Sequence, residues 1–205
     1  MEPREWVERR LTPNADYEAI PELRESLLKE QGYLCAYCQR RIPLTAQEDG
    51  NTSKIEHVLP QSGTPDQRQD YKNLVACCPG YLDFIPHCDK SKEAAMLSIN
   101  LFSDTLEEGV SYQSRTGKIV HQNPLWDREM NSILNLNHFR LQQNRHQALE
   151  GLKNALEKKQ YSKREVKNYL KLYMTPNQKG NLHEYCGILR WYLRRKLTSI
   201  STNKA

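Results

Sequence analysis

The residues with the clearest chemical potential are an acid–histidine pair enclosed by cysteines. Glu56 and His57 lie in a short apolar run that Pro60 follows. Cysteines stand on both sides of this run: Cys35, Cys38, Cys77, Cys78 and Cys88. An imidazole can deprotonate water, and a carboxylate can hold a divalent cation. The arrangement therefore indicates a fold stabilised by cysteine-bound zinc and carrying a second, hydrolytic metal.

The run around the acid–histidine pair is typical of a β-strand that ends at Pro60. Adjacent side chains on a strand point to opposite faces of the sheet. Glu56 and His57 can therefore serve one site only if the strand ends in a bend, which Pro60 favours.

Two of the cysteines, Cys35 and Cys38, form a metal-binding knuckle, because thiolates two residues apart can reach one ion from a tight turn. A tetrahedral zinc site needs a second pair, for which we select Cys78 and Cys88. Cys77 continues the apolar run of the predicted strand Leu74–Cys77, so we expect it to be a small buried hydrophobic residue and not a ligand.

The spacing of the second pair leaves one alternative open. Nine residues separate Cys78 from Cys88, which is longer than the usual knuckle. His87, which directly precedes Cys88, is therefore an alternative ligand in place of one of the sulfurs.

The composition favours a folded protein in a reducing compartment. The chain has 205 residues, 38% of them hydrophobic, enough for one domain with an appendage or for two small domains. No apolar run approaches the ~18 residues needed to span a bilayer, and the first residues lack the apolar core of a secretory signal. We therefore expect a cytoplasmic protein, in which cysteines serve as metal ligands more often than as disulfides.

The charge is unevenly distributed along the chain. Residues 132–205 contain 15 of the 30 lysines and arginines but only four of the 25 acidic residues. A basic region of this kind indicates a phosphate backbone or an acidic protein as partner, or a solvated helix surface.

Short strands and helices alternate in the predicted secondary structure, which indicates an α+β fold. A helix is expected from about Pro21 to Gly32, a strand over Leu74–Cys77, an irregular insertion over 79–86 and a helix from Asp89 to about Ile99. A hairpin is expected around Gly117, and Pro124 opens a helical tail. The last predicted helix carries an apolar stripe: Leu182, Cys186, Leu189, Leu193 and Leu197.

These elements divide the chain into four regions. They are a lead-in and helix (1–34), a core with the zinc site (35–109), a hairpin and linker (110–131) and a basic helical region (132–205).

The motif order resembles that of the HNH, or ββα-metal, endonucleases. The residues that carry the resemblance are Cys35-x2-Cys38, Glu56-His57-x2-Pro60, Asn73-Leu74, Cys78 and Cys88-Asp89-x2-Lys92. More closely, the chain resembles the HNH component of Septu-type anti-phage systems and its retron-associated relatives. The supporting details are Cys35-Ala36-Tyr37-Cys38, Ile55-Glu56-His57, Gly117-Lys118-Ile119-Val120 and Leu134-Asn135-Leu136-Asn137 with Arg145.

Phosphodiester hydrolysis gives each residue of this set an expected role. His57 is the general base, because imidazole titrates near neutrality. Glu56 and Asp89 are the expected ligands of a catalytic Mg²⁺ or Mn²⁺, and Lys92 is expected to contact a phosphate. The resemblance implies that Asn73 fixes the loop that presents His57. The family often has Asp or His in place of Glu56, and His or Asn in place of Asp89, all of which ligate divalent metals.

The resemblance implies a zinc-stapled ββα-metal core with an α-helical C-terminal extension. It also implies a nuclease, with DNA favoured as substrate, that works as the effector of an anti-phage complex with an ABC-type ATPase. One alternative is an HNH effector that cleaves RNA, such as a tRNA. Another is a non-catalytic zinc module that binds nucleic acid or protein. For the basic region we favour docking on the ATPase, through α-helical residues such as Leu189 and Leu193, over gripping of nucleic acid.

Overall fold

The computed structural model describes residues 21–48, 51–62, 67, 70–103 and 106–202, so the predicted lead-in over 1–20 lies outside the described residues. Helix α1 (Pro21–Glu30) begins at a proline, whose missing N–H is not needed in the first turn. Its apolar residues Leu23, Leu27 and Leu28 are buried, as predicted. Gly32 follows with φ +59°, and a Cβ there would overlap the side chain of Leu182.

Strands β1 (Lys54–His57) and β2 (Leu74–Cys77) form an antiparallel pair at the centre of the candidate site. Glu56 lies opposite Val75 in this register, and His57 opposite Leu74. The side chain of Gln31, just after α1, extends the ladder on the other side of β2. Its amide accepts from Ala76 N at 2.7 Å and donates to Ala76 O at 2.8 Å.

A second hairpin replaces the irregular insertion expected between Cys78 and Cys88. Strands β3 (Tyr81–Leu82) and β4 (Ile85–Pro86) pair antiparallel across a two-residue turn. Proline is tolerated in β4 because the hairpin has only two strands and both are edge strands.

Helix α2 (Asp89–Lys92) is a single turn, so the predicted extension to Ile99 is wrong. Glu93 has φ +49°, which ends the helix. The following segment is not helical, and Glu129 holds its end: the carboxylate accepts from Ser98 N and Ile99 N at 2.9–3.0 Å. A buried acceptor 30 residues away thus overrides the local helix propensity.

The predicted hairpin around Gly117 is confirmed. A short helix α3 (Leu106–Gly109) leads into β5 (Val110–Tyr112), which pairs with β6 (Ile119–His121). Gly117 has φ +73°, and a Cβ at this position would collide with the carbonyl oxygen of Gln142, so only glycine fits.

The rest of the described chain is mostly helical, as predicted, with connecting segments at 134–138, 158–162 and 175–185. Helix α4 (Pro124–Arg128) continues into a π-helical turn (Glu129–Ile133). Helices α5 (Phe139–Glu157), α6 (Lys163–Met174) and α7 (Cys186–Thr202) follow. Helix α7 begins at Cys186, so Leu182 lies before it and donates its N–H to Gly32 O at 3.0 Å.

A single apolar cluster extends from α1 to α7 and includes both the cysteine region and the basic helices. Tyr185 N and Gly187 N donate to the backbone and side-chain oxygens of Gln39 at 3.1 and 2.9 Å. The basic helical region is therefore packed into the fold. Among the described residues, no helix has the length and apolar content required to cross a bilayer.

Candidate metal centre and acidic site

Four buried cysteine sulfurs meet at one point. The Sγ atoms of Cys35, Cys38, Cys78 and Cys88 all lie within 4.8 Å of one another. The Cys35–Cys88 and Cys38–Cys78 separations are 4.0 and 3.8 Å. Four sulfurs about 2.3 Å from a tetrahedral zinc ion would lie about 3.8 Å apart. The cluster can thus hold a metal such as zinc.

Backbone hydrogen bonds position the two halves of this cluster. Cys35 N donates to Arg40 O at 2.9 Å, which closes the knuckle, and Ala36 N binds Ala76 O at 3.1 Å. The knuckle is thereby pinned to β2, directly before Cys78. Cys88 N donates to Leu134 O at 2.8 Å, which anchors the other half.

The thiols are electrostatically coupled. Burial raises the pKa values of Cys38 and Cys88 well above the ordinary thiol value. Hydrogen bonds from Cys35 and the other two sulfurs lower the pKa of Cys78. The cluster therefore favours a thiolate at Cys78, and a metal dication would favour thiolates at all four positions.

Cys77 and His87 stand beside the cluster. Cys77 is fully buried in β2 and is not among the four clustered sulfurs. His87 Nδ1 lies 3.0 Å from Cys88 Sγ and 4.0 Å from Cys78 Sγ. Nitrogen and sulfur bound to one zinc would lie about 3.6 Å apart, so the 3.0 Å contact fits a hydrogen bond to a ligand better than shared coordination.

A second polar group is built around Glu56, which is buried. Its Oε1 accepts from Lys92 Nζ at 2.8 Å, and the Tyr37 hydroxyl lies 3.5 Å away. The side chain of Asp89 is close enough to raise the pKa of the same carboxyl group. Burial and then Asp89 raise the pKa of Glu56 to about 7, although Lys92 lowers it. The protein thus keeps the Glu56 carboxyl and the Lys92 ammonium in contact, largely away from water, with the partly buried Asp89 nearby.

Lys92 is not placed where a phosphate could reach it. Its side chain is 1% exposed, and its ammonium also donates to His57 O at 3.0 Å. The expected phosphate contact is therefore not supported by this position. Lys92 instead ties Glu56 to the backbone of the next residue.

His57 is the last residue of β1, and Asn73 braces the loop that follows it. His57 Nδ1 lies 3.1 Å from Gln61 Nε2, so an amide N–H of Gln61 is directed at the lone pair of that ring nitrogen. Asn73 Oδ1 accepts from Leu59 N at 2.7 Å, and Nδ2 donates to Leu59 O and Gln67 O at 3.1 and 3.2 Å. Asn73 thus contacts the loop that the resemblance assigns to it.

The structure brings together Glu56, Asp89 and Lys92, with Asn73 beneath the loop after His57. Of the His, Cys, Asp and Glu side chains in the described residues, only the four cysteines form a group of three or more that could hold a metal. Glu56 and Asp89 would supply two oxygen ligands, which is compatible with Mg²⁺ because this ion retains several waters or binds substrate phosphates.

Two residues at this site were not singled out from the sequence. Tyr37 is part of the knuckle motif, but the motif gives it no role at this site. Its hydroxyl reaches Glu56 because the knuckle packs against the sheet. Gln61 follows His57 by four residues, and nothing in a polar loop distinguishes it from its neighbours.

No protein-family profile matches the chain, and no curated protein matches it. The chemistry of the site is therefore argued from its own residues.

Proposed function

We propose that this chain is a metal-dependent endonuclease of the HNH type that hydrolyses phosphodiester bonds, with DNA as the favoured substrate. The observation that carries the proposal is the buried Glu56, which precedes His57 in β1 and whose pKa is raised by Asp89, the residue after Cys88 of the cysteine cluster. The chain order of β1, β2 and the one-turn α2 around these residues supports a ββα-metal core.

The proposal includes two metals with different tasks. Zinc held by Cys35, Cys38, Cys78 and Cys88 stabilises the core. Mg²⁺ or Mn²⁺ held by Glu56 and Asp89 supplies positive charge to the phosphate oxygens that become anionic.

The protein groups perform the proton transfer and the positioning. His57 takes the proton of the attacking water at Nδ1 once that water replaces the Gln61 amide, which faces this atom in the free protein. Asn73 holds the loop after His57, so that the imidazole keeps a fixed direction. Lys92 favours the ionised form of Glu56 by placing an ammonium on the carboxylate, which offsets part of the effect of burial and of Asp89.

The resemblance adds an ABC-type ATPase as partner, with the nuclease as effector of an anti-phage complex. Leu189 and Leu193 are buried within this chain, so the docking surface that we expected at these two residues is wrong. Any docking on α7 must use its outer face, where Arg194 and Arg195 are exposed.

One observation favours a second candidate, a zinc module without catalysis. The Glu56–Lys92 contact is a buried ion pair, and such a pair can serve the fold alone. The two candidates differ in whether His57 is needed for chemistry.

The test is a cleavage assay with purified protein, with and without Mg²⁺, on plasmid DNA, single-stranded DNA and tRNA. We expect Mg²⁺-dependent cleavage that His57→Ala lowers by about 10² to 10⁴, the usual range for loss of a general base. His146→Ala, a half-exposed histidine on α5, is the matched control and should retain activity. Equal cleavage rates in wild type and His57→Ala would rule out this mechanism. Cleavage of tRNA alone would identify the RNA-cleaving alternative.

A further inference from the structure

The hairpin β3–β4 displays an aromatic ring in an unfavourable way. Its two turn residues, Asp83 and Phe84, have φ values of +47° and +64°. Turns of this kind favour Asn-Gly, and phenylalanine rarely adopts a positive φ. The Phe84 side chain is also 98% exposed. The free protein thus bears both backbone strain and an exposed ring, two features that a bound partner could compensate.

The hairpin is held firmly at its base and near its tip. His87 N donates to Gly80 O at 2.8 Å, and Asn135 Nδ2 donates to Pro86 O at 2.9 Å. Near the tip, Arg140 Nε lies 2.6 Å from Asp83 Oδ2. The backbone that carries Phe84 is therefore held in place, which lowers the entropy lost when a ligand packs on the ring.

Basic side chains flank the hairpin. The aliphatic stem of Lys90 lies against Gly80, where a Cβ would meet it at 2.7 Å. Arg140 lies on the side of Asp83, which is the one acidic residue of the hairpin. Arg140 neutralises Asp83, so Lys90 leaves the hairpin region with a net positive charge, which together with an exposed ring fits a polyanion that carries flat apolar groups.

The hairpin also leads directly to the acidic site. From Phe84 the chain passes through β4, His87 and Cys88 to Asp89. Five residues of extended chain span at most about 16 Å, which equals about five nucleotides along a helical strand. A bound strand of about that length that crosses Glu56 and Asp89 could therefore place a base at the hairpin tip.

We propose that the β3–β4 hairpin is a nucleic-acid-binding element on which the ring of Phe84 stacks against an unstacked base of the strand bound at the acidic site. The location of the strand rests on the proposed function, whereas the stacking itself does not require catalysis. Base–aromatic stacking of this kind tolerates any sequence, because every base has a flat face.

The experiment uses the full zinc-loaded chain in Mg²⁺-free buffer, so that binding is measured without cleavage. The probes are a single-stranded oligodeoxynucleotide, its duplex, and a single strand that contains 5-iodouracil for photo-crosslinking. The variants are Phe84→Ala and Phe84→Tyr, with Phe102→Ala as the control that removes a partly exposed ring outside the hairpin.

We expect Phe84→Ala to weaken single-strand binding by about tenfold and to abolish a crosslink that maps to the hairpin. Phe84→Tyr should retain both, and Phe102→Ala should resemble wild type. The dependence of affinity on salt should have the same slope in wild type and Phe84→Ala, because the ring carries no charge. A general loss of structure would instead change the slope and the zinc content.

The inference is overturned if wild type binds none of the probes, or if Phe84→Ala binds as wild type does and still crosslinks at the hairpin. Unchanged binding would direct the search to a protein that covers the ring. Failure of the nuclease proposal appears differently: Phe84-dependent binding and crosslinking would persist, but Mg²⁺ would elicit no cleavage.

Discussion

The ammonium of Lys92 lies 2.8 Å from Oε1 of Glu56, and this contact joins α2 to β1 inside the protein. The same ammonium donates to the carbonyl oxygen of His57, so one lysine holds both members of the acid–histidine pair. A charge buried in this way is stable only while its partner remains.

Removal of the lysine charge should therefore destabilise the fold. Lys92→Met keeps the length of the side chain but leaves Glu56 without its cation, which should lower the free energy of unfolding by about 3 kcal/mol. Urea denaturation would measure this, with Lys90→Met as a control expected to stay within about 0.5 kcal/mol. Equal stability of the two variants would contradict the role that we assign to Lys92.

The raised pKa of Glu56 predicts a pH-dependent stability. Burial and Asp89 raise this pKa from 4.5 to about 7, so the folded protein holds the proton more tightly than the unfolded chain does. The resulting contribution to stability is complete below about pH 4.5 and is lost as the pH rises through about 7. Glu56→Gln removes this titration.

The measurement is chemical denaturation of wild type and Glu56→Gln at pH 5 and pH 8, without Mg²⁺. The difference in unfolding free energy should shift in favour of the variant at the higher pH. A difference that does not change with pH would show that Glu56 does not titrate in this window.

The cysteine cluster predicts a sharp contrast between neighbouring thiols. Cys35→Ser should lose zinc and much of the stability, because a structural zinc site contributes directly to folding. Cys77→Ser, which alters a buried cysteine outside the cluster, should keep one zinc per chain. Elemental analysis of both purified variants checks this, and zinc retained in Cys35→Ser would contradict the assignment.

Asn73 should matter for both stability and catalysis. Asn73→Ala removes three hydrogen bonds to Leu59 and Gln67, each worth about 1 kcal/mol. We expect lower cleavage activity with His57 intact, and faster amide exchange at Leu59. Asn100→Ala, which loses only a local contact to Phe102 N, is the control. If both variants behaved alike, the loop would be held by other contacts.

Leu193 should act in the core and not at a partner surface. Leu193→Ala empties a fully buried position on α7 and should cost about 2 to 5 kcal/mol of stability. Leu172→Ala, on the exposed side of α6, should be nearly neutral. Thermal denaturation of the isolated chain distinguishes them, and an unaffected Leu193→Ala would return this residue to the candidates for docking.

The residues whose roles depend on local pattern were the ones predictable from the sequence. The knuckle spacing indicated Cys35 and Cys38 as metal ligands. The apolar run of the strand indicated that Cys77 is a core residue and Cys78 a ligand, in agreement with the cluster. Pro21 likewise indicated the start of α1.

The features that escaped prediction depend on contacts between distant parts of the chain. The Ala94–Met96 stretch favours a helix by propensity, yet the helix ends at Lys92 and Glu129 binds the backbone just beyond this stretch. The burial of Lys92 follows from its meeting with Glu56, 36 residues away. No periodic pattern in the sequence predicts either of these long-range contacts.

The hydrogen bond from Gly187 to Gln39 joins residues 148 positions apart, and this has a consequence for synthesis of the protein. The cysteine knuckle emerges from the ribosome early, but its final support leaves the ribosome only with residues 185–187. Contacts across such separations slow folding, because a long stretch of chain must be ordered before they form. A nascent chain thus carries its metal ligands well before they are locked in place.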